Sequence, residues 1–418
     1  MESGKSAPEK DSLLLVTAVA LRKRDGRYFI DDQTWHGLAQ WLRYFETVTY
    51  AGLDAEGSPD ESSVNWLPVT DVPGSERLKI LVMPRAYRPL TFARTYRETR
   101  RRLAKAIAAN ERLCFTIGHL IGDWGSVAAL EAHAQDRPYG VWYDRVEYDV
   151  IRRSWSSLRW RARIREALSI PIAQALQKVI IRRSTMGLYQ GGDCYEHFKP
   201  MAPMPFCVYD THTTEGDFIP ADRLKAKIAE VGDGAPLRIC YAGRAAAMKG
   251  PQDWLRVLGM LRDAGVRFQA MWLGDGPLLG EMQQLRRDLD LSGSVELPGF
   301  VGDRNHLVEH LRRAHVFMFC HKTPESPRCL IEALVSGSAI VGYDSAYARD
   351  LLRQEGGGCL TPINDIAALA GKLVEFDRDR AGLADLIMRS GREGRRFDED
   401  TVYRHRAMLM REHLPALA

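Results

Sequence analysis

Leu237-Arg-Ile-Cys-Tyr-Ala-Gly243-Arg244, carried on through Lys249-Gly250 to Trp254, Leu258 and Leu261, reads as one strand, one turn and one helix. The first residues form a short apolar run that stops at glycine. Beyond Gly250 the large apolar side chains fall at i, i+4 and i+7, the spacing of a helix with one buried face. Further short apolar runs follow at 268–274, 295–297, 316–320 and 339–343, with longer stretches between them. Alternation of this kind implies a parallel sheet covered by helices on both faces.

The same layout is repeated less cleanly upstream, with apolar runs at 13–20, 45–50, 78–82, 113–118, 139–143 and 186–190. A proline-rich patch, Pro200, Pro203, Pro205, Pro220 and Pro236, separates the two series. The expected fold class is α/β, with two Rossmann-like domains whose parallel sheets face a cleft. The expected boundaries are a disordered tail over 1–11, a first domain over 12–205, a linker over 206–236, a second domain over 237–396 and a final helix over 397–418. At ~100 to 200 residues per domain, 418 residues suit this division.

Composition narrows the function by exclusion. The chain is 45% hydrophobic and 27% charged, which rules out a disordered, collagen-like or coiled-coil protein. A net charge of +4 makes no demand for nucleic acid. The seven cysteines are scattered, with no CxxC pair, so neither a disulfide framework nor a zinc site is indicated, and a cytoplasmic location is expected. No apolar run reaches the ~18 to 20 residues of a spanning helix. The run at 13–21, preceded by Lys5 and Lys10, imitates a secretory signal, but a buried first strand reads the same way and is the expectation.

Candidate chemistry sits where strands end. Gly243 and Arg244 follow the first strand of the second series, and Lys249 precedes its helix, so the two cations form either a diphosphate clamp or a solvated turn. The next strand ends in Leu273-Gly274-Asp275-Gly276-Pro277, a turn that either lets a ligand approach backbone or is simply tight. Neither turn is GxGxxG, so a nicotinamide dinucleotide is not indicated. After Cys320 comes Glu325-Ser326-Pro327, with Ser326 as expected N-cap and Pro327 as the first helical residue, a phosphate-compatible helix start. Glu325 then stands in the loop and Glu332 about two turns into the helix, as hydroxyl acceptors or as plain surface charge.

As an ordered set, Gly243-Arg244 with Lys249-Gly250, Leu273 to Pro277, Leu297-Pro-Gly299-Phe-Val301, and Glu325-Ser326 through Glu332-Ala-Leu resemble glycosyltransferase family 4, retaining enzymes of the GT-B fold. The resemblance spans roughly 237–397. It implies a metal-independent, retaining hexosyltransferase that takes a nucleotide-sugar and needs no cofactor. Arg244 and Lys249 would hold the diphosphate, Glu325 the sugar hydroxyls and Glu332 the ribose, with Gly299 and Val301 lining the base pocket. Glu325 and Glu332 are one residue closer than the family's usual spacing, which reads as a deletion at the helix start. The final helix is expected to cross back to the first domain.

In the first domain the family places a glycine loop after the first strand and a histidine after a later one. Gly26 and His119 fill those places here. Asp144 and Glu147, after the run at 139–143, are either acceptor contacts or a salt-bridged surface cluster. The DxD-like triplets, such as Asp288-Leu-Asp290, lie in helical or tail patterns, so no metal is expected.

The region 152–183 is strongly basic. On a helical wheel Trp160, Ile164, Ala167 and Leu168 form a stripe flanked by Arg159 and Arg163 on one side and Arg161 and Arg165 on the other. This is either docking to an anionic membrane that carries a lipid-linked acceptor, or a core-packing stripe with solvated arginines. The expected partners are a nucleotide-sugar, a glycan or lipid-linked acceptor of cell-surface glycan synthesis and no nucleic acid, at the cytoplasmic face of the membrane. Competing classes are an epimerase or phosphorylase on the same fold, and a non-catalytic nucleotide- or polyanion-binding protein, which leaves Glu325 and Glu332 unexplained.

Overall fold

The computed structural model describes residues 9–55, 65–118, 120–148, 151, 160–323 and 325–415. The chain separates into two compact units, 1–212 together with 400–418, and 213–399.

The first unit is built on the strands β1 (Glu9–Arg24), β2 (Arg27–Asp31), β3 (Thr47–Asp54), β4 (Trp66–Pro68), β5 (Leu78–Met83), β6 (Asn110–Thr116), β7 (Gly140–Tyr143), β8 (Met186–Gln190) and β9 (Pro205–Val208). β5, β3, β1, β6, β7, β8 and β9 pair in parallel in that spatial order. β1 alternates its side chains between two covered faces. Leu13 and Leu15 join one apolar cluster, with Trp41 from the helix Asp32–Tyr44. Leu14 and Val16 join the other, with Leu103, Ala128 and Ile180 from the helices Pro89–Ala109, Trp124–Ala134 and Trp160–Arg183. All four β1 residues are at most 2% exposed. A strand buried on both faces reads as an unbroken apolar run, and that is why it imitates a signal segment.

Three boundaries differ from the sequence expectation. β1 starts at Glu9, inside the expected tail, because Asp11 is held by Arg112 at 3.1 Å and Arg411 at 2.7 Å. The expected linker 206–236 is structured. β9 is the edge strand of the first sheet, where Pro205 opens the strand and its missing N–H is tolerated. The helix Ala221–Gly232 buries Val231 in the second unit, and the division falls at 212/213.

The last helix, Glu399–His413, joins the first unit from Asp400 onward. It adds Tyr403, Ala407, Met410 and Leu414 to the cluster around Leu13 and Trp41. Its Arg406 is fully buried, donates to the Tyr209 carbonyl at 2.6 Å and lies 4.9 Å from the Trp142 ring.

The second unit carries β10 (Leu237–Ala242), β11 (Phe268–Leu273), β12 (Val295–Gly299), β13 (Val316–Phe319), β14 (Ala339–Tyr343) and β15 (Gly358–Thr361). They form an all-parallel sheet in the order β12-β11-β10-β13-β14-β15. The order reverses between β10 and β13. Loops that leave the carboxyl ends of two such neighbours diverge to opposite faces and open a crevice for ligands. Trp254 and Trp272 are fully buried beneath those loops, and the Trp254 indole donates to the Met318 carbonyl at 3.0 Å. Each buried aromatic of this kind stabilises the unit by ~1.5–3 kcal/mol.

Among the described residues no helix is long and apolar enough to cross a membrane.

Candidate functional site

The loops after β10 and β11 zip together through backbone. Gly243 N–H donates to the Leu273 carbonyl at 2.9 Å, Ala245 N–H to Asp275 at 2.9 Å, and Leu278 N–H to Ala245 at 3.0 Å. A Cβ on Gly274 would stand 2.0 Å from the Gly243 carbonyl oxygen. Gly274 is therefore required by the neighbouring turn, whatever else binds there, and the same holds for Gly276 against the Ala245 carbonyl. The loop after β10 also meets the loop after β13, where Lys322 N–H donates to the Met248 carbonyl at 2.8 Å.

This packing brings one expected cation onto one expected carboxylate. Lys249 Nζ lies 2.6 Å from Glu325 Oε2, and Thr323 Oγ1 donates to Glu325 Oε1 at 2.6 Å. The two charged side chains are only 14% and 17% exposed, so the pair is shielded from bulk water. Arg244, in contrast, is exposed, and its guanidinium has no partner among the described residues. One cation is engaged by an internal anion, and the other faces solvent.

Glu332 belongs to a second cluster. Arg304 spans it and Asp217, with distances of 3.3 Å and 2.9 Å. Burial works to raise the Asp217 carboxyl, but the Thr214 N–H at 2.7 Å and the Arg304 guanidinium outweigh it and hold the group below its ordinary range. The Arg304 guanidinium is raised although burial opposes it, because Asp217 and Glu332 both favour its charge. Sequence reasoning missed Arg304 and Asp217. A signal existed in Asp303, which caps the helix Arg304–Arg313 through the Asn305 N–H at 2.8 Å and so places Arg304 at its first position, directly after the Gly299–Val301 loop.

The helix start after β13 differs from the expectation by one position. The helix is Arg328–Val335, with Pro327 at the cap position and Ser326 preceding it. Pro327 keeps an extended ψ of 114°, which delays the first helical residue to Arg328. Glu332 is then a little over one turn in, nearer the loop than expected. Just before the loop, His321 is buried and shares a 2.8 Å hydrogen bond with the Tyr241 hydroxyl. Burial, with Lys249 nearby, pushes its imidazole far below the ordinary range, so it is neutral. Gly299 ends β12, and Val301 lies in the loop that follows, next to an exposed Phe300.

In the first unit the expectations fare differently. Gly26 does not close a loop at the parallel sheet edge. β1 runs on past that edge into an antiparallel hairpin with β2, pairing Arg24 with Arg27, and Asp25 and Gly26 supply the two positive φ angles, 48° and 78°, of its turn. The hairpin explains this glycine. His119 lies outside the described residues. Beside it, Gly118 N–H donates to Asp123 at 3.1 Å, and burial pushes that carboxyl up to about 6 against hydrogen bonds from Ser126 and Gly118. Asp144 is exposed, while Glu147 pairs with Arg145 at 2.6 Å. Among the described residues no three His, Cys, Asp or Glu side chains stand together as metal ligands.

Residues 236–379 match the family described as Glycosyl transferases group 1. WcaL of Salmonella typhimurium, assigned by its name to colanic acid biosynthesis as a glycosyltransferase, is 29% identical over 186 residues, 42% of this chain and 45% of that protein. The amylovoran biosynthesis glycosyltransferase AmsK of Erwinia amylovora is 24% identical over 182 residues, 42% of this chain and 44% of that one. Each match thus covers less than half of the relative. Among solved structures, HepE of Anabaena in complex with UDP superposes with a TM-score of 0.63 and 14% identity, covering 96% of this chain and 100% of that one. The fold is that of GT-B glycosyltransferases.

Proposed function

We propose that this chain is a glycosyltransferase that moves a sugar from a nucleotide-sugar to an acceptor hydroxyl, with retention and without a metal. The observation that carries the reading is the junction of the loops after β10 and β13. There Arg244 and the Lys249–Glu325 pair stand at the reversal of strand order, within the segment that matches the glycosyltransferase family.

In this reading the diphosphate binds Arg244 and draws Lys249 away from Glu325. Glu325, so released, accepts hydrogen bonds from the donor sugar. Glu332, oriented by Arg304, accepts from the ribose. The bond between the anomeric carbon and the diphosphate oxygen breaks, and negative charge grows on that oxygen, where the two cations stabilise it. The acceptor oxygen attacks from the same face, and its proton passes to a departing phosphate oxygen. Neutral His321 lies behind the loop and adds no competing charge.

WcaL and AmsK support an acceptor in polysaccharide synthesis, and HepE makes UDP the first nucleotide to try. All seven cysteines are free, which suits a reducing cytoplasm.

The test is thermal stability against UDP-, GDP- and ADP-sugars, with Arg244→Ala and Glu332→Ala as controls. One donor should raise the melting temperature, and both substitutions should abolish the shift. A cooperative melt that no donor moves would sink the proposal.

A further inference from the structure

The helix Trp160–Arg183 is apolar on two sides. Ile170, Ala173, Ile180 and Ile181 are buried against the first unit. On the opposite side Trp160, Ile164, Leu168 and Ile172 repeat every fourth residue and are 66%, 54%, 68% and 57% exposed. The stripe is therefore not core packing. Large apolar side chains that share one exposed helix face mark a surface that something covers.

The helix is also longer than the sheet it packs on. At ~1.5 Å per residue its 24 residues span ~36 Å, while the 5 residues of β8 span ~17 Å. Only Ser184 and Thr185 separate Arg183 from β8, so the helix ends at the amino edge of the sheet and its Trp160 half projects past the carboxyl edge. The loop after β5 and the start of the helix Pro89–Ala109 reach the same edge with Tyr87, 51% exposed, and Leu90, 76% exposed, beside exposed Arg85 and Arg88.

We propose that this overhang docks on an anionic lipid surface. Charge selects that occupant over a second copy of the chain. On the overhang Arg165 is exposed, as are Arg85 and Arg88 at the same sheet edge; the helix's single acid, Glu166, is buried against Arg165 at 2.8 Å, and Lys178, Arg182 and Arg183 extend the exposed basic face towards the other end of the helix. A twofold pairing of such helices would set these cations against one another. A bilayer of acidic lipids instead takes the apolar stripe into its headgroup boundary and neutralises the flanking cations. Docking at this edge is independent of the proposed transfer reaction.

Flotation of the full chain with phosphatidylcholine vesicles, with and without about one third phosphatidylglycerol, tests this. The chain should float with the anionic vesicles and much less with neutral ones. Raising salt from ~0.1 to ~0.5 M should weaken binding. The triple substitution Ile164→Ser, Leu168→Ser and Ile172→Ser, all at exposed positions, should leave the melting temperature unchanged and lower vesicle affinity by ~10-fold or more. Arg165→Glu with Arg88→Glu should weaken binding similarly. Absence of vesicle binding, binding indifferent to the triple substitution, or a concentration-dependent dimer abolished by it would each overturn the proposal. Donor-induced stabilisation, measured on the same preparations, keeps a failure here distinct from a failure of the transferase reading.

Discussion

Lys249 and Glu325 hold each other at 2.6 Å in a shielded position, so any diphosphate that recruits Lys249 must compete with a carboxylate. Glu325→Gln removes that competitor and keeps the side chain's shape. It should tighten binding of the nucleoside diphosphate by a few fold while lowering transfer by ~100-fold. Calorimetric titration beside a turnover assay separates the two effects, and a parallel loss of both would contradict the competition. Arg304→Ala strips the shared cation from Asp217 and Glu332. Loss of a charge-assisted contact predicts donor affinity weakened by ~10-fold, with a lowered melting temperature.

A third residue is readable through pH. Burial, reinforced by Arg238 and Lys227, pushes the imidazole of fully buried His315 down to about 3. The unfolded chain takes up this proton near 6.5 and the folded unit does not. The stability it contributes is complete above about 6.5, and is lost progressively as pH falls towards 3, by a few kcal/mol in all. His315→Asn can keep an acceptor for the Arg238 N–H and cannot titrate. Its melting temperature should fall less than the parent's between those limits.

At the scale of elements, strand existence was better marked than strand pairing. The runs 186–190 and 339–343 are β8 and β14 to the residue, because both are short, apolar and bounded by polar or turn residues. β2, β4, β9 and β15 went unread. β2 and β4 pair antiparallel on the extension of β1 and β15 follows a glycine-rich bend, so none of these shows an apolar run of its own, while the apolar run of β9, Phe206-Cys207-Val208, opens on a proline within the proline-rich patch. Turns make a related prediction. Gly274→Ala would drive a methyl group into the Gly243 carbonyl and should cost about 3 kcal/mol. Gly371→Ala, mid-helix in Ile366–Arg378 and open on all sides, should stabilise by about 0.5–1 kcal/mol. Thermal melts of the pair should move in opposite directions.

Across the whole molecule, the first unit ties residues 400 positions apart. Arg411 reaches Asp11, and Met410 is fully buried beside the first strand's cluster. Met410→Ala should therefore destabilise the first unit by about 2–5 kcal/mol, although it lies near the C-terminus. In calorimetry the donor should raise one transition and Met410→Ala should lower the other. A single transition shifted by both would mean that the units melt as one.

Strand-and-helix alternation, the separation of the two series at the prolines, and Arg244, Lys249, Glu325 and Glu332 as residues of interest were all present in the sequence, because periodicity and residue type are local properties. Partnership is not local. That Lys249 rests on Glu325, that Arg304 reaches Asp217 across 87 positions and also meets Glu332, and that Gly26 lies in a hairpin turn follow from which strands lie side by side. The direction of the Trp160 stripe was settled in the same way. An amphipathic wheel fixes which residues share a face, and only the packed helix decides whether that face meets protein or solvent.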